Sequence, residues 1–182
     1  DISITLSDLS SGMIRDARRA LGRKDKRFSF EVFDCVKIPH KGCNFDLVIA
    51  NHVLFYCEDI PAVCNEIQRV LVPGGKLICS TYGSHHMQEV SQLVQDFDNR
   101  IVLSADRLYE RFGRENGADI LAPYFSDISW ESYNDSLLVP DAEPLISYIL
   151  SCHGNQNQYL LNKYTDFRGF VSRKTKDGFF IT

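Results

Sequence analysis

Residues 45–81 read FDLVIANHVLFYCEDIPAVCNEIQRVLVPGGKLICST, and the order of patterns within them decides the fold. An unbroken apolar strand over 47–50 ends at Asn51. A helix follows with Asp59 as its N-cap and Pro61 in its first turn, and it carries Ile60, Val63, Cys64, Ile67, Val70 and Leu71 on one face. Pro73, Gly74 and Gly75 then reverse the chain, and a second strand begins at Leu77. Strand, helix and strand in that order build a parallel sheet, because parallel neighbours need a crossover connection. Ligands of such sheets bind outside the carboxyl ends of the strands, so function is expected at Asn51 and at residues 80–82.

The same grammar extends upstream. Ile2, Ile4 and Leu6 alternate with Ser3, Thr5 and Ser7, the period of a strand, and Asp8 stands at its end. A helix capped by Ser10 or Ser11 places Ile14, Ala17, Arg18 and Leu21 on one face and stops at Gly22. Phe28, Phe30 and Val32 form the next alternating strand, ending at Asp34. Downstream the pattern changes. Residues 88–97 and 104–112 read as helices, 117–123 as a loop-like connection, and 128–133 as a strand. Residues 142–150 form a helix entered through Pro144, 158–171 a longer helix, and 178–182 a last strand, with 154–158 a polar loop.

Composition bounds the class of molecule. The 182 residues are 44% hydrophobic and 24% charged with a net charge of −4, which suits one globular domain and gives no whole-molecule attraction to nucleic acid or anionic lipid. The one basic cluster contains Arg18, Arg19, Arg23, Lys24, Lys26 and Arg27, and it reads as a solvated helix end. Six cysteines without a CxxC pair point to reduced thiols in a cytoplasmic protein and to no zinc site. No apolar run reaches membrane-spanning length. The chain opens at Asp1, directly in a strand pattern, which is the expectation for a piece of a longer protein.

The segments ITLSDLSSGMIRDAR (4–18), FEVFDCVKIPH (30–40), FDLVIANHVLFY (45–56) and EIQRVLVPGGKLICSTYG (66–83) occur in an order and spacing that resemble the class I S-adenosylmethionine-dependent methyltransferases of small-molecule type. The resemblance implies an α/β fold: a Rossmann-like, doubly wound, mostly parallel sheet with helices on both faces and antiparallel C-terminal strands. It divides the chain into a cofactor-binding half (1–83), a helical cover (84–124) and a C-terminal strand-helix-strand part (125–182). The family's first strand and glycine-rich turn have no counterpart in these residues and are expected upstream of Asp1.

The resemblance also assigns roles. Asp8 becomes the acid that accepts hydrogen bonds from the ribose hydroxyls of S-adenosylmethionine, with Leu9 and Met13 lining the adenosine cleft; the same position also suits a turn aspartate. Asp34 is placed at the adenine amino group and Cys35 at a ring nitrogen through its backbone amide. Asn51 and His52 face the methionine portion, at what reads as the deepest edge of the cleft. Tyr56, Tyr82 and His86 are the residues for a small-molecule acceptor, with His86 as the side chain able to remove a proton near neutral pH; His85 is a weaker choice. The implied partners are that acceptor alone, with no nucleic acid, membrane or metal, and oligomeric state stays open. An acid ending the second strand also serves in NAD-dependent oxidoreductases, and a catalytically silent module would keep the same sheet. The sequence VLVPGGKL and the ending 128–182 favour the methyltransferase.

Overall fold

A computed structural model describes residues 2–22, 25–104 and 107–182. Arg23 and Lys24 of the basic cluster, and two residues of the helix expected over 104–112, lie outside the described residues. The chain divides into two compact units, one made of residues 1–81 and 119–126, the other of 82–118 and 127–182. Of the stretch 84–124, residues 84–118 belong to the second unit and 119–124 to the first.

The first unit follows the sequence pattern closely. Strand β1 (Ile4–Asp8), helix α1 (Ser11–Leu21) and strand β2 (Phe28–Val32) form one crossover, with β1 and β2 parallel and Asp8 opposite Val32. Strand β3 (Phe45–Asn51), a 3-10 turn (Leu54–Tyr56), helix α2 (Ile60–Val70) and strand β4 (Leu71–Ser80) form the second, again parallel, with Asn51 opposite Ser80. The caps are chemical as well as positional: Ser10 Oγ accepts the Met13 amide at 3.4 Å and Asp59 Oδ1 the Ala62 amide at 2.9 Å. All six apolar residues expected on the α2 face, from Ile60 to Leu71, are buried.

Three features of this unit differ from the sequence reading. Helix α2 ends at Val70, and Pro73, Gly74 and Gly75 lie inside β4 rather than ahead of it. They form an irregularity in the ladder, since Phe45 pairs with Leu71 but Leu47 pairs with Lys76. Gly74 takes φ 81° there, a backbone that glycine adopts without a Cβ penalty. Second, β2 ends at Val32, two residues short of Asp34. Third, among the described residues the strands form three two-stranded ladders, β1 with β2, β3 with β4, and a C-terminal pair, instead of one continuous ladder. Strand β3 therefore has one hydrogen-bonded neighbour, and of its apolar run only Ala50 is buried; Leu47 and Ile49 are exposed.

The second unit is helical around one core. It contains α3 (Gln88–Phe97), short α4 (Leu108–Arg111), α6 (Ala142–Ser151), α7 (Gln156–Leu160) and α8 (Tyr164–Thr175), while the brief α5 (Gly117–Leu121) straddles the boundary between units. Val90, Leu93, Val94, Ile146, Ile149, Leu160, Phe167 and Val171 are buried together. Strand β5 (Leu137–Val139) pairs antiparallel with β6 (Phe179–Ile181), so the antiparallel ending is present. The expected strand over 128–133 is not: these residues have no ladder partner, and Tyr133 is 90% exposed. The expected long helix over 158–171 is interrupted by a 3-10 turn (Leu161–Lys163), and of the one expected over 104–112 the described residues include α4.

Candidate functional site

At the end of β1, Asp8 makes the sharp turn into α1. Its Oδ1 accepts the Ser10 amide at 2.7 Å, while Ser10 in turn caps the helix. The turn-aspartate role is thus occupied, and the carboxylate stays exposed. Beside it two apolar side chains stand open to solvent, Leu9 at 71% and Met13 at 59% exposure. A carboxylate has about four acceptor lone-pair sites, so one amide bond orients Asp8 without exhausting it. An oriented anionic acceptor next to apolar surface fits a nucleoside, whose sugar needs acceptors and whose base needs cover.

The turn after β2 carries Asp34 and Cys35. Asp34 Oδ1 accepts the Val36 amide at 3.1 Å and its carbonyl accepts the Lys37 amide at 2.9 Å, a side-chain-stabilised turn. The Phe33 amide reaches the Asp8 carbonyl at 3.3 Å, which ties this segment to the end of β1. Farther on, the segment is clamped to α2. Arg69 donates to the carbonyls of His40 and Ile38 at 2.7 and 2.8 Å and to Glu66 at 2.8 Å, and Glu66 Oε2 accepts the Ile38 amide at 2.9 Å. The Arg69 guanidinium holds the Glu66 carboxyl down at about 2, well below its ordinary 4.5. His40 bonds Glu31 at 3.0 Å and packs edge-on against Phe45.

After β3, His52 adopts φ 49°, and its amide meets both the carbonyl and the hydroxyl of Ser80 at 3.2 Å. Its ring lies 5.9 Å from that of Phe55, which is buried and also stacks on the exposed Tyr56. Asn51 and His52 are exposed, so the deep position expected for them is not present; with a single ladder partner, β3 does not enclose its own carboxyl end. The segments after β2 and β3 nevertheless meet, because Cys35 Sγ lies 3.5 Å from Cys57 Sγ.

Three strand ends of the first unit, bearing Asp8, Asp34–Cys35 and the residues after Asn51, are thus linked by the Phe33 and Cys35 contacts. Tyr82 and His86 belong to the second unit, where their rings lie 5.0 Å apart and the Tyr82 carbonyl accepts the Arg114 amide. Glu115 shapes the turn between them by accepting from the Ser84 amide and hydroxyl, each at 3.0 Å; the amide bond lowers its carboxyl's pKa. A groove of about 390 Å³ in the second unit, lined by residues such as Gln88, Gln92 and Lys174, contains none of the assigned side chains. The sequence reading missed Cys57, Arg69 and Glu66. The last two were detectable as an i, i+3 acid–base pair on a helix; the thiol contact joins residues 22 apart and has no sequence signal.

Residues 2–79, which span both crossovers, match the family model described as a methyltransferase domain. Over these residues the chain is similar to class I methyltransferases. Over 94 residues it is 33% identical to the biotin biosynthesis bifunctional protein of Saccharophagus degradans, covering 52% of this chain and 17% of that protein. Over 162 residues it is 26% identical to phosphoethanolamine N-methyltransferase 3 of Arabidopsis thaliana, covering 74% of this chain and 33% of that one. A solved structure from Anaeromyxobacter dehalogenans, assigned as a type II methyltransferase, superimposes with a TM-score of 0.56 over 96% of this chain and 71% of its own, at 14% identity, and shows the shared Rossmann-like fold. The chain spans only 17% and 33% of the two curated relatives. The match to a methyltransferase domain favours the methyltransferase over the dinucleotide oxidoreductase left open by the acid-ended strands. No helix among the described residues is long and apolar enough to cross a membrane.

Proposed function

We propose that this chain supplies the adenosine-holding part of an S-adenosylmethionine-dependent methyltransferase whose acceptor is a small molecule. The observation that carries the reading is Asp8: an exposed carboxylate, oriented by the Ser10 amide at the carboxyl end of a parallel strand, just ahead of the exposed Leu9 and Met13 and inside the matched domain. Its remaining acceptor sites take the ribose hydroxyls, and the two apolar side chains cover the nucleoside. Asp34 accepts the adenine amino group while the Cys35 amide donates to the ring. The Asn51 carbonyl and His52 meet the amino-acid portion.

When bound, the cofactor supplies a methyl group already activated on a sulfonium sulfur. The chain's own residues then need to orient the acceptor, exclude water and take a proton where the acceptor carries one. Tyr56, Tyr82 and His86 are each assigned to the acceptor in this reading, and the His86 imidazole receives the proton. A free small-molecule acceptor is favoured by the alignment with the phosphoethanolamine N-methyltransferase, because 74% of the chain is more than the first unit contains.

The test is calorimetric titration of S-adenosylhomocysteine into the full-length protein and its Asp8→Asn variant. Asparagine keeps an oxygen for the Ser10 amide but loses the charge, so the turn survives while affinity falls by about 1–3 kcal/mol, the range for hydrogen bonds to charged groups. Wild-type binding with an unchanged Asp8→Asn affinity would remove the ribose assignment. No binding by the wild type would leave a methyltransferase-like module without cofactor function.

A further inference from the structure

We propose that Cys35 and Cys57 form a redox-active pair that closes reversibly into a disulfide, joining the turn after β2 to the segment after the 3-10 turn Leu54–Tyr56. All six cysteines are free thiols in this structure, and their settings differ. Cys64 is fully buried on α2, where desolvation raises its pKa to about 11; burial raises those of Cys79 and Cys152 as well. Cys43 is exposed. Cys35 and Cys57 are each part-buried, and their sulfurs already stand 3.5 Å apart.

Geometry favours closure. A disulfide needs a sulfur–sulfur distance of about 2.05 Å, so the gap to be closed is about 1.5 Å. Both residues lie in segments able to make that adjustment. Cys35 sits in the turn over 35–37, and Cys57 follows the 3-10 turn with extended backbone at φ −76°, ψ 131°. Neither belongs to a strand or to the packed face of a helix, so closure leaves the ladders of the first unit in place.

The pair is also chemically asymmetric. The contact between the two thiols pulls the Cys35 thiol below its ordinary range, against burial and the neighbouring Asp34 carboxylate, while the same contact and burial push Cys57 up. Cys57 Sγ also donates to the Val53 carbonyl at 3.6 Å, a contact that keeps its proton, so Cys35 is the attacking thiolate and Cys57 the resolving thiol. With hydrogen peroxide as oxidant, Cys35 sulfur forms a bond to one peroxide oxygen as the O–O bond breaks, and the departing hydroxide becomes water with the proton Cys35 gave up. Cys57 sulfur then displaces the hydroxyl from the sulfenic acid, and that hydroxyl leaves as water with the Cys57 proton. Two thiols are oxidised and one peroxide is reduced to two waters. A dithiol restores the pair by exchange.

The experiment treats full-length protein carrying Cys43→Ser with equimolar hydrogen peroxide, alkylates the remaining thiols and maps peptides without reductant. Cleavage after basic residues and after glutamate leaves Cys35, Cys57 and Cys64 on separate peptides (32–37, 42–58 and 59–66). The expected product links the first two, lacks alkylation at both, keeps Cys64 alkylated, and disappears with dithiothreitol. Cys57→Ser should leave Cys35 as a sulfenic acid that dimedone traps. Cys35 still alkylated, linked to a different cysteine, or carried straight to sulfinic acid in the Cys57-containing protein would overturn the proposal. So would a Cys35 that dimedone fails to label in the Cys57→Ser variant.

Discussion

Replacing Arg69 with alanine tests how the turn that carries Asp34 and Cys35 is held. The guanidinium makes two hydrogen bonds to backbone carbonyls, His40 at 2.7 Å and Ile38 at 2.8 Å, and two to Glu66 at 2.8 Å each. The ion pair has side-chain exposures of 39% for Arg69 and 21% for Glu66, so water screens much of it and its share is about 0–1 kcal/mol. The carbonyl bonds are charge-assisted, worth about 1.5 kcal/mol each in shielded settings and about 1 kcal/mol when part-exposed. Alanine should therefore cost the first unit about 2–3 kcal/mol. With a urea dependence of about 2 kcal/mol per molar, the unfolding midpoint falls by about 1 M. Amide exchange at Ile38, whose N–H bonds Glu66, should accelerate together with that of Cys43, whose N–H bonds the Arg69 carbonyl. A midpoint within about 0.2 M of wild type, with unchanged exchange at Ile38, would show that the clamp contributes nothing and that the turn is held by its own local bonds.

Glu66 adds a pH signature with a definite sign: its folded pKa of about 2 is below the ordinary 4.5, so its stabilising contribution is complete above 4.5 and disappears as pH falls toward 2. Urea midpoints across that window should show this slope in the wild type and lose it in Arg69→Ala. Gly154→Ala should destabilise the second unit by about 3 kcal/mol, since an added Cβ would overlap the Val102 carbonyl oxygen. A thermal midpoint lowered by at least about 10 °C checks it, and a neutral variant would refute the close approach of 154 to 102. His86→Ala should lower turnover on the acceptor while leaving S-adenosylhomocysteine affinity within about threefold, or about 0.65 kcal/mol; lost affinity with unchanged saturated turnover would put His86 on the cofactor.

What could be read from sequence was what local pattern determines. The α2 face, the Asp59 and Ser10 caps, the bounds of α3 at Gln88 and Phe97, and both parallel crossovers all follow from spacing over a few residues. The failures share a different cause. Residues 128–133 resemble an alternating strand, but alternation becomes a strand only where a ladder partner exists, and the last pair formed between β5 and β6 instead. Leu160, Phe167 and Val171 keep helical spacing across the break at Leu161–Lys163, so periodicity hides the interruption. The types of Pro73, Gly74 and Gly75 predict a turn between elements because they disrupt regular structure; here the disruption lies within β4, and pairing resumes at Lys76. The thiol contact and the Arg69 clamp depend on packing between segments far apart in sequence.

At Asp8 the bland and the functional readings of one residue support each other. A carboxylate free to rotate would meet a ligand's hydroxyls at the cost of its own side-chain entropy. Bonding of Oδ1 to the Ser10 amide at 2.7 Å settles the side chain in advance. Ser10 then fixes the first turn of α1 through the Met13 amide, which sets the exit direction of the Met13 side chain. In the proposed reading the turn therefore orients both the acceptor for the sugar and part of the apolar cover for the base. Asp8→Ala would disturb all of these together, so a loss of affinity in that variant says little about which one matters. Asp8→Asn leaves the Ser10 and Met13 bonds in place and removes only the charge, so an affinity loss in that variant, with the amide exchange of Ser10 unchanged, would belong to the ligand contact itself.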